Sequence, residues 1–473
     1  MTFRRWCLLP AAAVLALAAW FGTGYSSEDE FQHVILLAEQ LRGHADAASL
    51  PIDYHQGWRS MTLPLIAAGV FEAAGLSGVT SPFTLTLLLR LLTAALALWA
   101  VGGFVRAVLP SVREENRQAF ILLSWFLWFV PVLHVRFSGE AWSGMLFLRG
   151  LTLLLDARRP EAIGAWWAAA LLVRPAAAIL PFGALLWLLV VRHEPWKRIG
   201  GMAIGALAFL AVGIAADSLA YGRITFTLWN YASAALTGEE AHRFTALPWH
   251  QHLLFGLKYA ALPIGAALLA AAAALLALKP RHPVLWLLLP FLLAHSLLPN
   301  KEPRFLIPLA PLMPWLLMAA WDALCERWPA AMRSAGAMRI LFPFAAVNVL
   351  ALAVGIATPA GNGRIKLAEA IHERYGSEAV HIDHLGDWRQ WIPPFYLAPR
   401  STEAFVERIV PSKEKRNHLV IARESQGLDR VQSLKRMAVA APPWTHRFLA
   451  WYGLEDGHDP LVLYRLTTEN IGH

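Results

Sequence analysis

The sequence predicts an all-α membrane domain of about eleven transmembrane helices, followed by a small α/β domain outside the cytoplasm. Two observations support this class. Of the 473 residues, 57% are hydrophobic and only 16% are charged, whereas a soluble domain averages about 25% charged residues. Apolar runs of membrane-spanning length recur as far as residue 358, and a segment with mixed charges follows them.

Each apolar run is predicted to be a helix, because lipid offers no hydrogen-bond partner to an open backbone. The first run is interpreted as an uncleaved span, since no clear A-x-A cleavage site follows it. The segment Met61–Leu76 is short and carries Pro64 and Glu72, so we predict that it is interfacial or re-entrant. The predicted spans are residues 6–23, 80–107, 118–137, 139–156, 161–175, 176–191, 199–216, 252–278, 284–299, 304–323 and 339–358.

The net charge of +8 has a topological interpretation. In a soluble protein this excess would favour nucleic-acid binding, but here the basic residues lie in short loops between apolar runs, so no nucleic-acid partner is expected. The positive-inside rule places the loops that carry them in the cytoplasm, together with the N-terminus. The external side then receives residues 24–79, 217–251 and 300–303 and the chain after about 359.

These assignments predict two domains, a polytopic membrane domain at 1–358 and an extracytoplasmic α/β domain at 359–473. The second contains β-rich runs and helical patterns in alternation. The β-rich runs are Ala379–Ile382, Leu419–Ala422 and Leu461–Tyr464, and the helical patterns are Arg364–Tyr375 and Thr402–Ile409. The two cysteines, Cys7 and Cys325, predict neither a disulfide framework nor a metal cluster.

An acidic cluster opens the first external loop, in the segment Ser27-Glu28-Asp29-Glu30-Phe31-Gln32-His33. A helix beginning here places Asp29, Gln32 and His33 on one side. A carboxylate held at the membrane surface can accept a proton from a hydroxyl nucleophile. The alternative is an acidic helix N-terminus that the helix dipole favours.

The same loop ends in Trp58-Arg59-Ser60, shortly before Pro64. Arg59 is a candidate to pair with the acids or to bind phosphate. Trp58 is a candidate to stack on a sugar, and the alternative is an interfacial anchor.

A second cluster, Asn300-Lys301-Glu302-Pro303-Arg304-Phe305, lies in a very short external loop. Arg304 begins a span, so its guanidinium can face a lipid phosphate at headgroup depth. The alternative is ordinary snorkelling of a cation at a helix end.

Further polar groups occur near the predicted external ends of other spans. Asp217-Ser218-Leu219-Ala220-Tyr221-Gly222 is followed by Asn230, and the alternative for this group is an interfacial helix with aromatic anchors. Arg174-Pro175 interrupts an apolar run, where an unpaired charge costs several kcal/mol. Arg136 and Glu140 flank the external end of one helical hairpin.

In this order, the clusters resemble the motifs of GT-C mannosyltransferases of glycosyltransferase family 22, which add mannose to glycosylphosphatidylinositol anchors and dolichol-linked oligosaccharides. Asp29-Glu30-Phe31-Gln32 is similar to the family's P-D-E-x-F-Q, although Ser27-Glu28 stands where His-Pro is often found. The later cluster is similar to H-K-E-x-R-F, with Asn300 in place of the family's His. The resemblance covers about residues 20–315, and the Ala-, Leu- and Arg-rich composition suggests a bacterial chain.

The resemblance implies a GT-C-type bundle with large external loops and an inverting transfer of a hexose, with mannose preferred, from a polyprenyl- or dolichyl-phosphate-linked donor. The acceptor is a hydroxyl of a glycan or glycolipid. Asp29 is the implied general base, and Glu30 orients the acceptor or shares the proton. The implied donor-phosphate ligands are Lys301, Arg304, Arg59 and Arg174, and the implied substrate contacts are Gln32, Trp58, Glu302, Asp217, Tyr221 and Asn230.

The remaining expectations concern cofactors and location. No P-loop or G-x-G-x-x-G fingerprint is found, which favours a lipid-linked donor over a nucleotide-linked one. No metal ligand is assigned, although the carboxylates of Glu28, Asp29 and Glu30 could bind a divalent cation. The partners are then the lipid-linked donor, the acceptor and the bilayer. The expected location is a bacterial inner membrane, with the active site and the C-terminus outside the cytoplasm.

Three alternatives remain open. The first is a GT-C transferase that moves another sugar onto lipopolysaccharide or protein. The second is a lipid flippase or transporter, which predicts inverted repeats and midplane charges that the sequence does not show. The third is a non-catalytic membrane scaffold that presents the C-terminal domain.

Overall fold

The computed structural model describes residues 3–237, 246–332, 334–386, 390–409, 417–454 and 459–467. The chain divides into two compact units. We call the first the helical unit; it comprises Met1–Ala16, Glu28–Ala73 and Leu89–Leu352. We call the second the C-terminal unit; it comprises Leu17–Ser27, Ala74–Leu88 and Ala353–His473.

Helices form most of the described chain. A short π-helix at Phe31–Ile35 precedes α2, and a 3₁₀-helix at Pro303–Leu312 precedes α16. The α-helices are α1 (Phe3–Phe21), α2 (Leu36–Leu41), α3 (Ile52–His55), α4 (Thr62–Leu76), α5 (Pro82–Val108), α6 (Arg117–Phe126), α7 (Phe129–Leu133), α8 (Gly139–Leu155), α9 (Pro160–Val173), α10 (Ile179–Val190), α11 (Trp196–Tyr221), α12 (Thr227–Thr237), α13 (Gln251–Tyr259), α14 (Leu262–Leu278), α15 (Pro283–Leu297), α16 (Met313–Arg327), α17 (Pro329–Met332), α18 (Ala335–Ala357), α19 (Arg364–Tyr375) and α20 (Pro443–Tyr452).

The lengths and composition of these helices are those of a multi-pass integral membrane protein. Five described helical segments are long and apolar enough to cross a bilayer, and six shorter apolar helices accompany them. Along α11, the apolar side chains of Ile204, Leu207 and Val212 are each about two-thirds exposed, as expected of a surface that faces lipid. The five long segments are Phe3–Phe21, Pro82–Ser111, Glu114–Leu133, Trp196–Tyr221 and Pro303–Arg327.

Each predicted span contains helix, but several are broken. The run 118–137 divides into α6 and α7, and the run 252–278 divides into α13 and α14 at Ala261, whose φ is +67°. The predicted total of eleven spans therefore stays a prediction, as does the interfacial or re-entrant placement of α4. The predicted external loop 217–251 includes residues 238–245, which lie outside the described residues.

Glycines allow the closest helix contacts of the helical unit. A Cβ atom at Gly164 of α9 would lie 1.8 Å from the carbonyl oxygen of Met202 in α11. A Cβ atom at Gly205 of α11 would lie 1.9 Å from the carbonyl oxygen of Glu161. Small residues let membrane helices approach to backbone contact, which supplies van der Waals packing where no hydrophobic driving force acts between helices.

The C-terminal unit contains a five-stranded sheet with the order β2-β1-β3-β5-β4. Strand β1 is parallel to β2 and β3, whereas β5 is antiparallel to β3 and β4. Its buried core includes Val420, Ala422, Val462 and Tyr464. The strands are β1 (His381–Leu385), β2 (Thr402–Phe405), β3 (His418–Arg423), β4 (Leu434–Val439) and β5 (Leu461–Leu466).

The predicted α/β character of this unit is confirmed, with one correction. Helix α19 has the predicted bounds, and the predicted β-rich runs at Leu419–Ala422 and Leu461–Tyr464 lie within β3 and β5, whereas the run Ala379–Ile382 overlaps β1 only at residues 381–382. The helical pattern predicted for Thr402–Ile409 is wrong, because Thr402–Phe405 forms β2. This segment pairs in register with His381–His384, and such sheet pairing outweighs local helical propensity.

Candidate active site

Asp29 lies at the centre of a charged cluster within the helical unit. It stands two residues before the π-helix Phe31–Ile35, a local irregularity that often marks a functional position. Its Oδ2 atom is 2.7 Å from Nη1 of Arg304 and 4.0 Å from Nη2 of Arg59. Its Oδ1 atom is 3.7 Å from Nε2 of His33. Asp29 and His33 therefore share one face, as their spacing predicts.

Arg304 reaches Asp29 from the 3₁₀-helix Pro303–Leu312. The prolines of this segment lack the backbone N–H groups that donate the hydrogen bonds of an α-helix. Close packing against α8 fixes this segment, since a Cβ atom at Gly144 would lie 2.8 Å from the carbonyl oxygen of Pro308. Glu302 holds the same guanidinium, with Oε2 2.7 Å from Nε.

Glu140 and Arg174 form a buried pair next to Arg304. Glu140 is in the first turn of α8, and its Oε1 atom lies 2.8 Å from Nη1 of Arg174 and 3.9 Å from Nε of Arg304. Helix α9 ends at Val173, directly before Arg174. The guanidinium of Arg174 stacks over the ring of Phe305 at 5.5 Å. Arg174 thus joins the cluster through Glu140.

Arg59 is held by an aspartate that the sequence interpretation missed. Its Nε atom lies 2.9 Å from Oδ2 of Asp53, and the same oxygen lies 3.5 Å from Nε2 of His33. The ring of Tyr231 lies 5.7 Å from its guanidinium carbon. In the sequence, Asp53 is visible only as an acid six residues before Arg59 in the same loop. The loop contains many other charged residues, so the sequence gave no reason to choose Asp53 as the partner of Arg59.

Three predicted substrate contacts instead support the segment that carries Arg59. The fully buried Asp217 accepts hydrogen bonds from the Ser60 hydroxyl, the Met61 amide and the Thr227 hydroxyl, at 2.9, 2.8 and 2.8 Å. These bonds attach Asp217 to the backbone next to Arg59, and its predicted substrate contact stays a prediction.

Tyr221 and Asn230 act on the same backbone. The Tyr221 hydroxyl donates to the carbonyl of Arg59 at 2.7 Å, and its ring stacks on Tyr54 with centroids 5.0 Å apart. The Asn230 amide donates to the carbonyls of Gln56 and Gly57, at 3.3 Å each. These contacts hold the turn before Arg59, and the predicted substrate contacts of Tyr221 and Asn230 stay predictions.

Glu30 pairs with Arg136. Its side chain is buried, and its Oε2 atom accepts hydrogen bonds from Nη2 and Nε of Arg136 at 2.5 and 3.1 Å. A buried carboxylate in such a pair is neutralised by its partner and turned away from solvent. The structure thus places Glu30 in a buried ion pair beside Asp29, and its predicted action on the acceptor or its proton stays a prediction.

The remaining predicted residues differ in exposure. The buried ammonium of Lys301 donates to the carbonyls of Leu247 and Leu298 at 2.8 and 2.5 Å and so holds loop backbone; its predicted phosphate contact stays a prediction. Trp58 is also buried, and its predicted stacking on a sugar stays a prediction. Gln32 is half-buried on the π-helix, and the Glu302 side chain retains 30% exposure.

The exposed part of the cluster is small. The side chains of Asp29, Arg59 and Arg304 keep 23%, 22% and 18% exposure, whereas those of Glu140 and Arg174 keep 3% and 10%. A ligand that approaches from solvent therefore meets the Asp29 carboxylate between two guanidinium groups, with the partly exposed Glu302 carboxylate beside Arg304. The more buried acids hold those guanidinium groups in position.

The arginines also determine the ionisation of Asp29. Burial opposes its charged form, but the positive charges of Arg304 and Arg59 outweigh burial and hold the pKa of the Asp29 carboxyl well below its usual range. Burial and the charge of Arg59 lower the pKa of His33, and the nearby acids only partly oppose them. At neutral pH the cluster thus presents an ionised Asp29 beside a neutral His33.

This arrangement combines a proton acceptor with a binding site for an anionic group. Guanidinium groups bind phosphate and carboxylate through the same paired hydrogen bonds. An incoming phosphate can therefore replace the Asp29 carboxylate at Arg304.

Comparisons with known proteins give the family and support the fold. A sequence profile of the Alg9-like mannosyltransferase family matches residues 6–383. GPI mannosyltransferase 3 of Yarrowia lipolytica (strain CLIB 122 / E 150) is 27% identical over 289 residues, which are 58% of this chain and 54% of that protein. The chain thus spans about half the length of this curated relative.

The fold is similar to that of ArnT from Cupriavidus metallidurans. The crystal structure bound to undecaprenyl phosphate gives a TM-score of 0.56 at 14% identity, over 99% of this chain and 98% of that chain. The apo structure gives 0.51 at 14% identity, over 97% of each chain. These matches show the GT-C fold alone. The profile match covers most of the sequence, and the chain therefore belongs to the Alg9-like mannosyltransferase family.

Proposed function

We propose that the chain is an inverting glycosyltransferase that moves mannose from a polyprenyl-phosphate-linked donor to a hydroxyl of a glycan or glycolipid. One observation carries this proposal: the accessible Asp29 carboxylate lies 2.7 Å from the accessible guanidinium of Arg304. A group that can accept the acceptor's proton is thereby next to a group that can bind the donor's phosphate.

The donor phosphodiester exchanges with Asp29 at Arg304 and also contacts Arg59, while Glu302 and Glu140 keep Arg304 in reach. Asp29 takes the proton of the acceptor hydroxyl, whose oxygen forms a bond to the anomeric carbon. The bond from that carbon to the phosphate oxygen breaks, and polyprenyl phosphate leaves with the electron pair. The arginines stabilise its added negative charge. A single displacement inverts the anomeric centre.

The replacement of Asp29 by the donor phosphate at Arg304 also changes the basicity of Asp29. While Arg304 contacts Asp29, the low pKa of the carboxyl makes it a weak proton acceptor. A base works best when its pKa lies near the operating pH. Because the phosphate neutralises Arg304, donor binding raises the pKa of Asp29 and prepares it to accept the proton. Glu30 contributes by holding its neighbour in place through the pair with Arg136.

The names of the similar proteins support the substrate class. The curated relative is a GPI mannosyltransferase, and the ArnT structure binds undecaprenyl phosphate. The charge distribution of the loops supports an N-terminus in the cytoplasm and an external active site, and the Ala-, Leu- and Arg-rich composition supports a bacterial inner membrane. The arginines can supply the positive charge that a divalent cation supplies elsewhere, so the proposed transfer needs no cation at the acidic cluster.

The test is sugar transfer by purified full-length protein in liposomes, with membrane extract as the source of acceptor. Radiolabelled polyprenyl-phosphate-mannose and nucleotide-linked mannose are supplied separately, without added divalent cation. The proposal predicts label transfer from the lipid donor alone. Transfer from the nucleotide donor alone would contradict it. Polyprenyl-phosphate-glucose is the control for sugar identity, and preferred transfer of glucose would replace mannose in the proposal.

A further inference from the structure

Two histidines and an aspartate meet on one face of the sheet in the C-terminal unit. His381 and Asp383 alternate along β1, so their side chains point to the same face. His418 begins β3 and stands opposite His381 in the parallel register. Nε2 of His381 lies 2.8 Å from Oδ1 of Asp383, and Nε2 of His418 lies 2.7 Å from Oδ2. One potential ligand atom from each residue lies within 4.8 Å of the other two.

The surroundings of these side chains suit a bound ion. The side chains of Asp383 and His418 are 1% and 2% exposed, whereas that of His381 keeps 16% and gives solvent a way in. Nδ1 of His381 lies 2.6 Å from the Thr402 hydroxyl on β2. A second hydrogen bond of this kind fixes the ring orientation of metal-binding histidines and leaves the other nitrogen for the metal.

We propose that His381, Asp383 and His418 bind a divalent transition-metal ion, with Zn²⁺ as the expected ion. The ligands are Nε2 of each histidine and one carboxylate oxygen, with a water molecule from the His381 side in the fourth position. Zinc accepts nitrogen and oxygen ligands in tetrahedral geometry with bonds of about 2.0–2.2 Å, which separates ligands by roughly 3.3 Å. Small rotations of the present side chains reach this spacing. Each histidine binds the ion as its neutral Nδ1–H tautomer, so a neutral ring moves its Nε2 proton to Nδ1 by exchange with solvent, and a proton is released only from a doubly protonated ring.

The consequence is a link between β1 and β3 at the start of both strands. All three ligands belong to the C-terminal unit, whereas Asp29, Arg59 and Arg304 belong to the helical unit. The proposal therefore does not depend on the proposed transferase function. The competing interpretation is a hydrogen-bonded His–Asp–His network that fixes the same strands without metal.

Zinc binding by the full-length protein distinguishes the two interpretations. The protein is purified in detergent with a tag that does not bind metal, stripped with a chelator and titrated with Zn²⁺. Bound metal is counted by mass spectrometry. Cobalt then replaces zinc, because tetrahedral Co²⁺ with nitrogen ligands absorbs strongly in the visible range. We expect one zinc ion per chain, a tetrahedral cobalt spectrum and a higher midpoint of thermal unfolding with zinc.

Three variants locate the ion. His381→Gln, at the most exposed ligand, should lose the cobalt spectrum and the thermal shift. Thr402→Val, which keeps the ligands but removes their support, should bind zinc roughly 10- to 100-fold more weakly. The matched control is His384→Gln, because His384 is a fully buried histidine of the same strand that pairs with Glu403 at 2.6 Å. This control should bind zinc like the wild type.

Two outcomes would overturn the proposal. The first is stripped wild-type protein that binds no more zinc than His381→Gln and shows no thermal shift. The second is His384→Gln losing as much zinc as His381→Gln, because the ion would then lie elsewhere. The wild-type thermal shift requires no variant, so its absence overturns the proposal even if His381→Gln fails to fold.

Discussion

Arg304 contacts Asp29 at 2.7 Å although the two residues come from distant parts of the sequence. The arginine that is proposed to bind the donor phosphate is thus already bound to the proposed base. Donor and base compete for one guanidinium, which couples donor binding to the basicity of Asp29. Glu302, at 2.7 Å from the same guanidinium, keeps it in place when the phosphate replaces Asp29.

Replacing Arg304 by Gln should weaken donor binding and move the pH profile. Loss of a charge-assisted hydrogen bond of about 1.5–3 kcal/mol should raise the donor KM roughly 10- to 100-fold. Arg304 holds the pKa of Asp29 low, so its removal raises that pKa and moves the acid limb of the kcat/KM profile to higher pH.

Arg59→Gln is the comparison for this shift. The Arg59 nitrogen lies 4.0 Å from Asp29, whereas the Arg304 nitrogen lies at 2.7 Å. The acid limb of the kcat/KM profile should therefore move less in Arg59→Gln than in Arg304→Gln. The measurement is initial transfer rate against pH for wild type and both variants. An acid limb that stays unchanged in Arg304→Gln would show that Asp29 is not the group whose ionisation limits the rate.

Asp217→Ala should destabilise the helical unit. It leaves three donors without their acceptor, on Ser60, Met61 and Thr227, and each buried unpaired donor costs about 1–3 kcal/mol. The expected result is a clearly lower midpoint of thermal unfolding in detergent. Asp46→Ala, which removes an exposed loop carboxylate, is the control and should change the midpoint little. An unchanged midpoint in Asp217→Ala would favour the predicted substrate contact.

Glu30 and Arg136 should behave as one unit. Removing either partner alone leaves a buried charge and should cost about 3–5 kcal/mol of stability. The double variant Glu30→Gln with Arg136→Gln should recover part of that loss and also part of the transfer activity. Thermal unfolding and transfer rates of the two single variants and the double variant test this. A stable double variant without any activity would instead assign Glu30 a direct catalytic role.

Gly144→Ala should disturb the position of Arg304 without touching a charged group. The added Cβ atom would lie 2.8 Å from the Pro308 carbonyl oxygen, and such overpacking costs about 1–3 kcal/mol. Because Pro308 belongs to the segment that carries Arg304, the donor KM should rise as stability falls.

The matched control is Gly69→Ala in α4, where nothing lies within 4 Å of the added atom. Alanine favours a helix over glycine by roughly 0.5–1 kcal/mol, so Gly69→Ala should be neutral or slightly stabilising. Equal effects of Gly69→Ala and Gly144→Ala on the donor KM would contradict the packing explanation.

Local patterns in the sequence predicted the helices well. The bounds of α19 follow from its own periodicity, and the apolar runs follow from composition, because both signals reside in consecutive residues. The segment Thr402–Phe405 became a strand because it pairs with His381–His384. That pairing depends on distant residues, so no local pattern could reveal it.

The candidate site shows the same limit. The sequence placed Asp29, Arg59 and Arg304 among the important charges, and the structure brings them together. The sequence could not separate these three residues from Glu30 and Lys301, because burial and pairing decide which charged groups remain accessible. Arg136 and the carbonyl of Leu247 are the partners that remove these two from solvent, and both are remote along the chain.

The most direct test of the central claim is single-turnover transfer from polyprenyl-phosphate-mannose by wild type and Asp29→Asn in liposomes. The account predicts that Asp29→Asn folds and binds the donor, since Arg304 is released, but transfers mannose roughly 10²- to 10⁴-fold more slowly. Asp46→Asn serves as the control and should transfer at the wild-type rate. Transfer at the wild-type rate by folded Asp29→Asn would contradict the assignment of Asp29 as the base.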